Sequence, residues 1–202
     1  MDAEQHTEEY QQALDQFVLY WGEMASAWGI NKTMAQIHAL LFASQTPLDT
    51  DGIMEQLKIS RGNANMNLRN LKQWDLIHKV HYKGDRKDYY TAEKDIWETA
   101  ARIIKERQRL EVTPIKENLN ECLQILGDKK DVPGEEKEFK ERMESFLDFL
   151  DLFEDFTNAL LPYVNQKNMK SLRKFVNLAK KRNLLRSKPE EILPYPDEGG
   201  EK

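Results

Sequence analysis

Apolar residues return at helical steps through most of the chain and at strand steps in one short stretch. Tyr10, Leu14, Phe17, Trp21, Met24 and Trp28 recur at intervals of four and three, the stripe of a long amphipathic helix that Gly29 ends. Asn31 can cap a second helix, with Met34, Ile37 and Leu41 on its stripe and Leu40 beside it. Pro47 then breaks the chain, and Leu48 can pair briefly in a sheet. Asp49 or Thr50 caps a short helix that buries Ile53 and Leu57. "LKIS" reads as a tight turn, after which Ser60 caps a further helix beginning at Arg61 and Gly62. Two short helices joined in this way predict a helix-turn-helix.

The strand-like stretch is "LIHKVHYKGDRKDYYT". Ile77, Lys79 and His81 alternate with His78, Val80 and Tyr82, "KGDRK" turns at Gly84, and "DYYT" returns, which predicts a β-hairpin or wing. Asp75 falls where the preceding helix must end, and Asp tolerates a left-handed backbone better than most residues. Everything after Thr91 reads as helix. Ile96, Ala100, Ile103, Arg107 and Leu110 mark one helix ending near Pro114; Ile115, Leu119, Cys122 and Leu126 mark another ending at Gly127. "GDKKDVPG" is a loop. Phe139, Met143, Phe146, Leu150, Phe153, Thr157 and Leu160 form a heptad-like seam, widened by Leu147, Phe149, Leu152 and Phe156 and ended by Pro162. Met169, Leu172, Phe175, Val176 and Ala179 mark a last, basic helix before the tail "SKPEEILPYPDEGGEK". The fold class predicted is mostly α: a winged helix-turn-helix domain with N- and C-terminal helical extensions.

Composition narrows the setting. The 202 residues are 40% apolar and 32% charged, the balance of a soluble globular protein. No apolar run is long enough to span a bilayer, and the acidic start "MDAEQHTEEY" is not a signal peptide. Cys122 is the only cysteine, which excludes an internal disulfide framework and fits a reducing cytosol. Net charge is −5, which by itself argues against a nucleic-acid partner, but the charge is unevenly spread. Residues 58 to 87 hold eight Lys/Arg against two Asp, a net of +6, whereas residues 131 to 161 hold ten Asp/Glu against three Lys/Arg. A basic island on an acidic body suffices for a phosphate partner, because counterions are released locally.

The helix "SRGNANMNLRNLKQW" sits in that island, and it is built from weak helix formers, a glycine and four asparagines. On a helical wheel Ala64, Leu68 and Leu71 fall together and must face the core. Gly62, Asn63, Met66, Arg69, Asn70 and Gln73 fall opposite, with Asn65 and Asn67 on the flanks and no carboxylate. The major groove suits this set: Asn and Gln pair with adenine, Arg with guanine, and an apolar group with the thymine methyl. Gly62 would let a phosphate approach the helix N-terminus. Arg61 and Lys72 flank the face, Ser60 stands at its start, and Lys83, Arg86 and Lys87 lie at the wing tip, within reach of phosphates or a minor groove. Asp85 is unexpected there; it either orients Arg86 or makes the turn.

Other constellations are weaker. His78 and His81, three apart in a strand, point to opposite faces and cannot clamp one metal ion, so no metal and no cofactor are expected. Cys122 lies on an apolar stripe, the place of a buried, inert thiol rather than a redox sensor. Trp21, Trp28 and Trp97 can line an effector pocket, although packing is the simpler reading of aromatics at helical spacing. No nucleophile–base pair, glycine-rich phosphate loop or carboxylate pair in a plausible cleft is present, which points away from an enzyme.

The segment "ISRGNANMNLRNLKQWDLIHKVHYKGDRKDYYTAEKDIWETA" resembles the MarR superfamily of winged-helix regulators, specifically its GbsR-like branch. "SRGNANMNLRNL" is similar to that branch's recognition helix and "GDRKDYY" to its wing, and the resemblance runs from about Trp28 to about Arg109. Asp75 departs from it, standing where many MarR-like chains have Gly. The resemblance implies a cytoplasmic, homodimeric transcription regulator on a pseudo-palindromic operator, with terminal helices forming the dimer and repression relieved by a small-molecule effector. Choline, which the founding regulator answers to, is not carried over to these residues. The division expected is an N-terminal dimer helix over 1–30, the DNA-binding domain over 31–112, a dimerisation and effector region over 113–186, and a flexible tail over 187–202. The seam from Phe139 to Leu160 is expected to pack across the dimer, its acidic flanks Asp148, Asp151, Glu154 and Asp155 near the basic last helix (Lys170, Arg173, Lys174, Lys180 and Lys181). Two readings stand: a probe of double-stranded DNA acting as a repressor, or a winged helix that holds a protein partner through its acidic helices without specific DNA binding.

Overall fold

The computed structural model describes residues 7–127 and 133–163, with positions 173, 174, 176–178 and 181. Positions 173, 174, 176–178 and 181 are helical. The rest of the expected last helix, Lys170 and Lys180 included, the tail 187–202 and residues 128–132 of the "GDKKDVPG" loop lie outside the described residues.

Three helices end by the same device. α1 (Glu8–Ala27), capped by the Thr7 hydroxyl, closes with Gly29 at φ 76° and a bond from the Ile30 N–H to the Ala25 carbonyl (2.9 Å). α2 (Lys32–Ala43) starts on the Asn31 side chain, which accepts from the Met34 N–H at 2.9 Å. Asp49, in β1 (Leu48–Asp49), caps α3 (Thr50–Leu57) through the Gly52 N–H at 2.9 Å. α3 ends with Lys58 left-handed at φ 53° and the Ile59 N–H on the Met54 carbonyl. Ser60 caps α4 (Arg61–Gln73), which ends with Asp75 at φ 55° and the Leu76 N–H on the Leu71 carbonyl (2.9 Å). These are Schellman closures, whose left-handed residue is usually Gly. At Asp75 the substitute has a reason. Its carboxylate lies 3.2 Å from Arg102 of the following helix, whose guanidinium also binds the Asp75 carbonyl.

The hairpin forms as expected but shorter on its first side. β2 (Ile77–Val80) and β3 (Tyr89–Ala92) pair antiparallel, Ile77 opposite Ala92 and Val80 opposite Tyr89, and β1 adds Leu48 opposite Tyr90, giving the order β1-β3-β2. The expected alternation through Tyr82 stops at Val80, where the chain leaves the sheet for the turn. α2 is the centre of the domain. Ile37, Leu40 and Leu41 are buried with Ile53 of α3, Leu68 and Leu71 of α4, and Ile77, Tyr90 and Ala92 of the sheet. α1 packs closely on α2 at Gly22, where a Cβ would lie 2.7 Å from Gln36 Cγ. Lys94 fastens the far end of α2, donating to the carbonyls of Leu41, Phe42 and Ser44.

The helix expected to stop near Pro114 does not stop. α5 (Ile96–Arg107), capped by Asp95, passes through a π turn at Gln108–Val112 directly into α6 (Thr113–Leu126), with Pro114 in its first turn. The Thr113 N–H reaches back five residues to the Gln108 carbonyl. This wider turn takes in the proline without a break. α7 (Gly134–Leu160) runs antiparallel to α6: Lys116 meets Asp151 and Glu154 at 2.5 Å, and Lys140 reaches the Gly127 carbonyl at 3.1 Å. Those two acids together hold the Lys116 ammonium well above the usual lysine range. Leu119, Leu150 and Thr157 are buried, but Phe149 (61% exposed), Leu152 (69%) and Phe156 (62%) face outward, as do Met24 and Trp28 of the first stripe. The architecture is a mostly helical winged helix-turn-helix with helical extensions at both ends. Among the described residues no helix is long and apolar enough to cross a membrane.

Candidate nucleic-acid interface

α4 is held by one face. Ala64, Leu68 and Leu71 are buried, while Arg61, Gly62, Asn65, Met66, Arg69, Lys72 and Gln73 are exposed and Asn63 and Asn70 half-buried. The outward face carries no carboxylate. Gly62 has a helical backbone and nothing within 4 Å of where a Cβ would sit, so neither space nor φ inside the chain demands a glycine. The Ser60 hydroxyl accepts from the Asn63 N–H at 3.3 Å, so its first role is the cap.

Asn67 corrects the sequence reading. Placed on a flank and counted with the DNA contacts, it is fully buried, and its amide nitrogen donates to the Asn63 carbonyl (2.9 Å) and Asn63 Oδ1 (2.7 Å). It cannot touch a duplex. Its role is to fix the Asn63 side chain from below, and its own Oδ1 has no partner in the protein.

The wing is a built turn. Gly84 adopts φ 88°, Asp85 Oδ1 accepts from the Lys87 N–H (2.8 Å), and Asp85 Oδ2 accepts from the Tyr89 hydroxyl (2.8 Å). Of the two readings of Asp85, the turn-making one describes these bonds. They hold its carboxyl below the usual range, the Lys87 N–H first and the Tyr89 hydroxyl second. Tyr82 packs edge-on to Tyr89 at 4.9 Å between centroids. His81 lies 3.8 Å from Asp88, and His78 lies 3.9 Å from both Asp75 and Glu93. Arg69, Lys72, Lys83 and Arg86 carry no ion pair among the described residues. Two cations do: Arg61 pairs with Asp51, and Lys87 reaches Asp49 at 2.5 Å and Asp51 at 3.4 Å.

A second feature lies behind the interface. A cavity of about 430 Å³ opens between α1, α2, the end of α4 and α5, walled by Trp21, Trp28, Trp74 and Leu71. Trp97 is not part of it, so of the three tryptophans weighed as pocket-lining only Trp21 and Trp28 take part, joined by Trp74 at the C-cap of α4. Two polar groups at the wall, His38 Nε2 and Thr99 Oγ1, are buried without a partner in the protein. Burial, and then the charge of Lys94, push the His38 pKa down to about 4, so the ring is neutral near pH 7. The sequence reading missed His38, Trp74 and Thr99; only tertiary packing brings them together.

No family model matches the chain. Over 89 residues it is 26% identical to the HTH-type transcriptional regulator YvaV of Bacillus subtilis strain 168, a match covering 44% of this chain and 50% of that protein. The chain thus spans about half the length of the curated relative it matches. A crystal structure described as that of a transcriptional regulator superposes with a TM-score of 0.61 at 20% identity, over 74% of this chain and 96% of that one. It shares the fold. A DNA-bound mutant of the S. aureus regulator MepR, at a TM-score of 0.32 and 14% identity over 90% of this chain and 100% of that one, overlaps too poorly to carry an argument. Both the curated relative and the superposing structure are described as transcriptional regulators.

Proposed function

We propose that the chain is a DNA-binding transcription regulator of the MarR type, GbsR-like, that represses as a cytoplasmic homodimer on a pseudo-palindromic operator. One observation carries this reading: the exposed face of α4 is amides, Arg69 and Met66 around an unforced glycine, flanked by Arg61 and Lys72, with no acid, beside the wing cations Lys83 and Arg86, which carry no ion pair among the described residues. Asn63, Asn65, Met66, Arg69, Asn70 and Gln73 lie toward base edges; Ser60, Arg61, Gly62, Lys72, Lys83, Arg86 and Lys87 serve the phosphates or a minor groove. The curated relative's description as an HTH-type transcriptional regulator supports the regulator part of this reading. The exposed apolar faces of α1 and α7 support a second copy as their cover, since patches of this kind are rarely left to water. Two recognition helices so held would read half-sites about 34 Å apart.

The apolar cavity is the place we assign to the effector. With two unpartnered polar atoms and no charged side chain in its wall, it suits a neutral, largely aromatic molecule with one hydroxyl or carbonyl. Leu71 and Trp74 put that molecule against the end of the reading helix.

An electrophoretic shift with DNA from upstream of the chain's own gene tests the core of the reading. Arg69→Ala should lower discrimination by about 1–3 kcal/mol if it pairs with one guanine, and Arg86→Ala should weaken all duplexes and flatten the salt dependence. A wild type that binds no duplex at low salt would instead favour the protein-partner reading. A monomer in sedimentation at micromolar concentration would remove the dimer.

A further inference from the structure

The two paired cations of the interface belong to different elements, Arg61 to the first turn of α4 and Lys87 to the wing, yet both converge on one carboxylate, Asp51 in the first turn of α3. Lys87 also holds Asp49 Oδ2, while Asp49 Oδ1 is occupied capping α3. The cap needs only one oxygen of Asp49 and nothing of Asp51. Both carboxyls are held below the usual range by these cations, Asp49 chiefly by Lys87 and Asp51 chiefly by Arg61.

The geometry points to Asp49 and Asp51 as competitors of the DNA backbone: they occupy Arg61 and Lys87 in the free protein and must release them when phosphates arrive. The inference rests on the DNA-binding reading above. It follows from the exposure of the cluster, with Arg61, Asp51 and Lys87 all more than half open to solvent, so that a phosphate can take either cation without unfolding anything. Each exchange leaves a bare carboxylate that gathers a cation from solution. Fewer ions are then released in net than the number of Lys/Arg at the interface would give. The same pairs tie the wing to the α3–α4 unit while no DNA is bound, so the wing is held in place without presenting its full charge. Duplexes contacting only the four free cations meet no such opposition, whereas those engaging Arg61 and Lys87 must displace the acids. The pair therefore acts as a specificity-determining element: it lowers the electrostatic share of affinity, which is the share blind to sequence.

The experiment uses the full chain and a fluorescent duplex of generic sequence, with anisotropy read across a salt series. Asp51→Asn, at an exposed position outside the cap, should bind about two- to tenfold tighter at low salt. Its log–log salt slope should be steeper by about one unit. Arg61→Ala in the Asp51→Asn background should cost more affinity than Arg61→Ala in the wild type, because in the wild type that charge is already spent on Asp51. Asp49→Asn, which keeps a capping side chain, should shift binding in the same direction. A wild type that binds while Asp51→Asn is unchanged or weaker would overturn the proposal and leave the acids as positioning groups only. A wild type that binds no duplex overturns the DNA reading, and this inference with it. Thermal melts within about 2 °C of wild type confirm that the comparison is between folded proteins.

Discussion

Asn67→Ala separates a residue that reads DNA from one that supports a reader. Asn67 makes two bonds to Asn63, at 2.9 and 2.7 Å, each worth about 1 kcal/mol net. Removing its amide from a fully buried position leaves a small void at a further cost of about 1 kcal/mol. Against this, the unpaired Oδ1 disappears, a gain of about 1 kcal/mol, and Ala is the better helix former by roughly half a kcal/mol. The variant should be about 1–2 kcal/mol less stable, a fall in Tm of roughly 3–6 °C for a chain of this length. Its operator affinity, measured well below the melt, should stay within about twofold of wild type, the small loss coming from a looser Asn63. Asn70→Ala in the same assay should lose about tenfold or more if it pairs with an adenine. An Asn67→Ala protein with unchanged Tm and a tenfold loss of affinity would refute the burial argument outright.

Gly62→Ala should raise stability by up to about 1 kcal/mol, since no atom opposes the new methyl, while weakening duplex binding; a variant both more stable and equally tight would remove the close-approach role of Gly62. His38 has a folded pKa of about 4 against 6.5 unfolded, so between those values the unfolded chain binds more protons. Stability is therefore full above pH 6.5 and falls as pH drops toward 4, by up to about 3 kcal/mol. His38→Leu should lose most of that slope in urea titrations at pH 7 and pH 4.5; an unchanged slope would place the titration elsewhere. A neutral aromatic alcohol soaked into the protein should raise Tm in the wild type and less in Trp74→Ala, and equal shifts in both would clear the cavity of an effector role.

The local parts of the structure were legible in the sequence because their causes are local. The caps Asn31 and Ser60, the stripe of Ala64, Leu68 and Leu71, the turn at Gly84 and the left-handed Asp75 each follow from a few neighbouring residues. Asn67 misled because a wheel gives direction, not depth: it lies beside the buried stripe, and closure against the neighbouring elements covers it. Pro114 misled because a proline stops an α-helix but not a chain that widens one turn beforehand. The pairs of Arg61 with Asp51 and Lys87 with Asp49 span 10 and 38 positions and leave no spacing signature. The stripe of α1 promised more burial than one chain supplies, for Met24 and Trp28 remain outside.

The π turn at Gln108–Val112 has a consequence for alignment. In an uninterrupted α-helix, the line through Ile96, Ala100 and Ile103 and the line through Ile115, Leu119 and Cys122 would be rotated by about 100° from each other. A π turn absorbs one extra residue, which is about 100° of phase. It turns two misaligned seams into one nearly straight seam that a single surface can follow from the wing domain to the α6–α7 hairpin. Deleting one residue from this turn should leave the two lines in register on a plain α-helix, whereas deleting one residue elsewhere in α5 or α6 would swing everything beyond it about a quarter of the way round.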